Sequence, residues 1–156
     1  MRPSGVIDIA MIEVRPADRR DTDTLIELLA AQLSEHGLAA SREQVRRGIE
    51  VAFQAGAPLL VAMEGPRGVG ACLANRIASV EYGGAVLFIE ELYVAPEARR
   101  RGVARALLNR LLADSRASGL RAIELEVDQG HEPARALYRS LGFAANTRTP
   151  LVLELR

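Results

Sequence analysis

The sequence predicts an α/β (α+β) fold: a mixed, mostly antiparallel central sheet with helices on both faces, in the order β-α-α-β-β-β-α-β-α-β-β. Three observations predict it. Apolar residues recur at helical spacing in some stretches and alternate or run continuously in others, so the period of the pattern switches along the chain. Turn residues, Gly65-Pro66-Arg67-Gly68 and Gly83-Gly84, stand between consecutive strand-like runs and call for hairpins. A length of 156 residues with 49% hydrophobic content suits one core and leaves no room for a second. Residues 6–156 are therefore expected to form a single domain, after a loose start at Met1–Gly5.

Val6 to Arg15 reads as a first strand with Ile7, Ile9 and Met11 on one face, stopped at Pro16. Asp21, Thr22 and Asp23 offer helix caps before the stripe Leu25, Leu28, Leu29 and Leu33, and Gly37 closes that helix. Ser41 with Gln44 has the spacing of a capping box for a second helix, whose apolar face is Val45, Ile49, Ala52 and Phe53 and which ends at Gly56. Leu59 to Met63 is a buried strand, and Val69 to Tyr82 pairs back on it as a hairpin. The strand after Gly83-Gly84 carries Glu90 and Glu91. A helix from Val103 to Ser118 follows, with Gly119 at its left-handed end position. Ile123, Leu125 and Val127 alternate with Glu124 and Glu126 as a fifth strand. Pro133 opens a short helix over Ala134 to Leu141, and Phe143 to Asn146 and Leu151 to Leu155 read as two closing strands.

Charge and cysteine usage narrow the function classes. All 20 Lys+Arg positions are arginine, balanced by 20 Asp+Glu, so bulk attraction to nucleic acid or membrane is not expected. The single cysteine, Cys72, rules out an intramolecular disulfide framework and a cysteine-based zinc site, and no metal is expected. Its setting in an apolar strand suits a buried, inert thiol. No export signal or membrane-length apolar run is seen, so a soluble cytoplasmic protein is the expectation.

The chemistry concentrates in Phe88–Leu112, where an apolar strand carrying two adjacent carboxylates gives way at Pro96 to a basic, glycine-bearing loop and then a helix from Val103. Free N–H groups and the positive dipole end at a helix start, together with Arg99, Arg100 and Arg101, suit a phosphate or diphosphate. The segment Arg99-x-x-Gly102-x-Ala104 resembles the coenzyme A pyrophosphate loop of the GNAT superfamily, the acetyl-coenzyme A dependent N-acetyltransferases, whose pattern is Gln/Arg-x-x-Gly-x-Gly/Ala. A second segment, His131-Glu-Pro-Ala-Arg-Ala-Leu-Tyr138 followed by Gly142-Phe143, resembles that family's Asn-x-x-Ala-x-x-Leu-Tyr…Gly-Phe stretch. The two motifs stand in the family's order, and the resemblance covers nearly the whole chain.

What the resemblance implies is specific. Tyr138 corresponds to the general acid near the coenzyme A sulfur. His131 stands where the family usually has an Asn that contacts coenzyme A, and can still make one hydrogen bond. Backbone N–H groups at Leu92, Tyr93 and Val94 would align the thioester and pantetheine, the latter as a pseudo-strand. The pyrophosphate would meet the loop and helix start, Arg99, Arg100, Arg101, Gly102, Val103, Ala104 and Arg105, although the three consecutive arginines cannot all be ligands. Homodimers through the late strands are common in the family.

Transfer of acetyl from a thioester to an amine needs a base for the ammonium, a donor for the oxyanion and a proton for the thiolate. Freeing a lysine-like amine at neutral pH costs roughly 4 to 5 kcal/mol. Glu90 and Glu91 are the candidate bases, expected by strand alternation to point to opposite sides of the sheet, and the resemblance to polyamine and small-amine acetyltransferases, which place a Glu at the first of these positions, favours Glu90. Glu35, Glu81, Glu124 and Glu126 could add negative charge for a cationic acceptor. The expected activity is direct acetyl transfer from acetyl-coenzyme A to the primary amine of a small molecule. The alternatives are a protein or peptide acetyltransferase and a non-catalytic acyl-coenzyme A sensing module.

Overall fold

The computed structural model describes residues 11–155. The expected strand over Val6–Arg15 falls partly outside them, as does the loose start. What is described of that strand is β1, Ile12–Pro16, with Pro16 its last residue. The chain continues through α1 (Thr22–Glu35), α2 (Arg42–Gln54), β2 (Leu59–Glu64), β3 (Arg67–Ser79), β4 (Gly84–Val94), α3 (Val103–Ala117), β5 (Ile123–Leu125) and α4 (Glu132–Ser140). Short 3-10 turns precede α1 and α3. Contacts divide the chain into one unit up to Leu125 and a second from Glu126 on.

In the first unit the strands form a five-stranded sheet in sequential order, antiparallel from β1 to β4 and parallel between β4 and β5. Consecutive residues of β3 show that helices cover both faces. Ala71 belongs to the apolar cluster with Leu25, Leu28 and Leu29 of α1 and Val45 and Ile49 of α2. Its neighbour Gly70 points the other way, where an added Cβ would lie 3.1 Å from Val103 and 3.2 Å from Leu107. That missing side chain lets the first turns of α3 pack directly on the sheet. Val103, Leu107, Leu108 and Leu111 are all buried there, at 2% exposure or less.

The second helix forms as its sequence asks: Ser41 accepts from the Gln44 N–H at 3.1 Å and Gln44 accepts from the Ser41 N–H at 2.9 Å, closing the capping box. The first helix is started differently from expectation. Its capping box lies in the preceding 3-10 turn, between Asp18 and Asp21, and Arg15 grips Asp21 with two bonds of 2.8 Å. That fork holds the Asp21 carboxyl below its usual range despite its burial.

The second unit contains α4. The two closing strands expected at 143–146 and 151–155 are not strands here. The apolar residues are present, but a strand also needs a ladder partner and a layer to cover it, and Leu151, Val152, Leu153 and Leu155 are 84% exposed or more. Val127, expected to extend β5, likewise lies beyond its last residue. Among the described residues no helix is long and apolar enough to cross a membrane.

Candidate active site

The site grows from the way β4 outruns its neighbour. Parallel pairing with β5 covers only Leu87, Phe88 and Ile89. Beyond Ile89 the strand is paired to β3 on one side, from Glu91 to Val94, and, among the described residues, has no strand partner on the other. Such an edge offers backbone donors and acceptors to an extended, amide-bearing ligand.

A β-bulge marks where the edge opens. Leu73 pairs with Glu91 but Ala74 pairs with Ile89, so Glu90 is the extra residue. The bulge reverses the phase of β4, and this corrects the expectation that the two carboxylates face opposite sides. Leu73 packs against the α1–α2 cluster, which puts its partner Glu91 on that face. Asn75, two residues on along β3, shares that face and its amide donates to Glu90 at 3.5 Å. Both carboxylates therefore lie on the α1–α2 side. Glu90 is exposed and Glu91 half-buried. Burial, and after it the charge of Glu90, push the Glu91 carboxyl up to about 7.

Beyond the bulge, Leu92 accepts from the Gln32 amide of α1 at 3.4 Å. Gln32 is 7% exposed, and its side-chain oxygen has no hydrogen-bond partner among the described residues. Tyr93 is buried, with its hydroxyl donating to Glu35 at 2.9 Å. The Val94 carbonyl accepts from Arg99 Nε at 2.9 Å.

After Pro96–Ala98 the backbone enters the left-handed region twice, at Arg100 (φ 59°) and Gly102 (φ 80°). Gly102 takes that conformation without strain, whereas Arg100 carries a cost of about 1 kcal/mol. The path ends in α3, whose N-cap is Gly102, so no capping side chain bonds its first-turn N–H groups. A Cβ on Gly102 would meet nothing within 4 Å, so open space lies over the helix start. The three arginines diverge. Arg99 bonds Glu35, Arg101 bonds Glu64 of β2 with its guanidinium half-buried, and Arg100 makes no ion pair among the described residues. Arg105 is exposed on the first turn of α3, and Ala104 is half-buried.

His131 and Tyr138 belong to the second unit, at the two ends of α4. His131 is the N-cap, its Nδ1 accepting from the Ala134 N–H at 3.2 Å, which leaves the ring proton on Nε2 as a donor. The Tyr138 ring stands edge-on to Phe143, centroids 5.7 Å apart. Sequence reasoning missed Gln32, Asn75 and Glu64, and treated Glu35 as one loose carboxylate among four. Only the buried, polar Gln32 within an apolar helical stripe carried a local signal.

A family model described as the acetyltransferase (GNAT) family matches residues 22–143. An uncharacterized N-acetyltransferase of Methanocaldococcus jannaschii is 36% identical over 78 residues, covering 50% of this chain and 34% of that protein, so the chain spans about a third of this curated relative. A crystal structure of an acetyltransferase from Trypanosoma brucei matches at a TM-score of 0.72 and 27% identity, over 92% of this chain and 99% of that one. The crystal structure of a predicted acetyltransferase with acetyl-CoA, from Clostridium acetobutylicum, shares the fold at a TM-score of 0.75 and 21% identity, over 94% and 96% of the two chains.

Proposed function

The chain belongs to the GNAT acetyltransferase family, and from that membership we propose that it moves the acetyl group of acetyl-coenzyme A directly onto a primary amine of a small molecule. The observation that carries this is the continuous path from the unpartnered edge Glu90–Val94 to the uncapped start of α3 at Gly102. It combines an edge for an amide-bearing arm with a helix start for a diphosphate, in the order that pantetheine and pyrophosphate require. Bound acetyl-coenzyme A supplies the activated thioester. The chain's own groups supply the rest: backbone N–H groups at Leu92–Val94 for the oxyanion, and Tyr138 for the thiolate proton.

Proton removal from the ammonium falls to the Glu90–Glu91 pair. Glu91 has the proton affinity suited to a base near neutral pH, and the exposed Glu90 adds the negative charge that attracts the cation. Glu91→Gln is expected to lower kcat/KM about tenfold below pH ~8 and to recover as the amine loses its own proton. Glu90→Gln should instead move the acid limb of the profile to lower pH, because Glu91 loses a like-charged neighbour. The reverse pattern would make Glu90 the base. Stability changes in a defined direction too. The folded chain keeps a proton on Glu91 between the ordinary carboxylate range and about 7, where the unfolded chain has lost it, so stability falls as pH rises through that window. Glu91→Gln should flatten the fall.

The activity is tested by thiol release from acetyl-coenzyme A with polyamines, amino acids, aminoglycosides and lysine peptides, with product masses checked. Turnover of a small amine establishes the reading, and turnover confined to peptides moves the activity to protein acetylation. Micromolar coenzyme A binding with no turnover across the panel favours a sensing module.

A further inference from the structure

The first residue of the loop motif does not point into open space. Arg99 donates through Nε to the Val94 carbonyl at 2.9 Å and through Nη2 to both oxygens of Glu35, at 2.9 and 2.7 Å. Its guanidinium lies 5.6 Å from the centre of the Tyr93 ring, and the Tyr93 hydroxyl closes the circuit on Glu35 at 2.9 Å. The last residue of α1, the last two residues of β4 and the loop are thus held in one ring of contacts.

Glu35 is a poor choice for helix stability alone. It sits at the negative end of α1, in a last turn with no basic residue. Arg99 supplies the missing cation from across the fold and, with Tyr93 contributing less, holds the Glu35 carboxyl below its usual range. Both partners are more than two-fifths exposed, so the pair adds little to overall stability. What it fixes is geometry, because a forked guanidinium bonded at both ends has a single orientation.

We propose that Glu35 and Arg99 form a brace that sets the last peptide of β4 and the entry to the loop, so that Arg99 positions coenzyme A without binding its phosphates and Glu35 is a positioning residue for the cofactor. This rests on the reading of β4 and the loop as the coenzyme A site. Arg101 is tied in the same way to Glu64, which leaves Arg100, exposed and in no ion pair among the described residues, as the arginine of the three turned to an anion.

Titrations of acetyl-coenzyme A and of S-acetylpantetheine, which lacks the phosphates, separate the roles. Under the brace, Glu35→Gln weakens both ligands about fivefold, and the Glu35→Gln, Arg99→Gln double variant is no weaker than Arg99→Gln alone. Arg100→Gln weakens only the full coenzyme, by about tenfold. If Arg99 were a phosphate ligand the sign would reverse: Glu35→Gln would free it and tighten the full coenzyme, while Arg99→Gln would spare the fragment. That result overturns the brace. Unchanged affinities in the Glu35→Gln chain, with the unsubstituted chain binding, overturn it alone. No coenzyme binding by the unsubstituted chain overturns the site reading and the brace with it. A merely structural loss would lower the melting temperature and the fraction of active chains without changing either dissociation constant.

Discussion

Replacing Gly102 by glutamate is expected to abolish coenzyme A binding, by at least about a hundredfold in affinity, while the chain stays folded. Two features make the substitution selective. The Cβ meets no heavy atom within 4 Å, so nothing in the fold is displaced, and the cost to the folded chain is the left-handed backbone at φ 80°, about 1 to 2 kcal/mol. A carboxylate at the start of α3 is also favourable to the helix dipole, which offsets part of that cost. The same carboxylate would fill the space at the start of α3 and repel a diphosphate. Gly102→Ala carries the backbone strain without the charge and should bind with only a modest loss. Calorimetric titration beside a thermal melt checks both. Wild-type affinity in the glutamate variant would mean that the loop is not where phosphate binds.

Tyr138→Phe should lower kcat by about a hundredfold or more and leave the dissociation constant for coenzyme A nearly unchanged. The ring that stands edge-on to Phe143 is retained, and α4 keeps its His131 cap, so the substitution removes a hydroxyl from a preserved helix. The loss should shrink when the acetyl donor is a thioester of a more acidic thiol, whose leaving thiolate needs no proton. Equal turnover by the two chains, or a loss independent of the leaving group, would remove Tyr138 from the general-acid role.

What the sequence revealed and what it hid divide along the range of the interaction. The Ser41–Gln44 box and the glycine-ended helices are settled within a few residues, and the structure has them where the pattern put them. The bulge at Glu90 is different, because an extra residue exists only relative to the partner strand, and the adjacent carboxylates of β4 read alone do not say which of them is the extra one. Glu35 and Arg99 lie 64 residues apart, so no local spacing couples the end of α1 to the loop. In 151–155 the apolar run Leu-Val-Leu-Glu-Leu was legible, while the existence of a partner was not. The apolar face of a strand is a property of its own residues, and its ladder is a property of two segments.

Cys72, closed within β3 at 0% exposure with its thiol pushed by burial up to about 12, has a practical meaning for the chemistry proposed. Thiol reagents attack the thiolate, and this one is neither ionised near neutral pH nor reachable. The folded chain should therefore be silent in a colorimetric thiol assay, with every equivalent of colour formed during turnover belonging to released coenzyme A. Added denaturant would expose one thiol per chain, so the same reagent that counts catalytic cycles in the native protein would count unfolded molecules when the sheet comes apart.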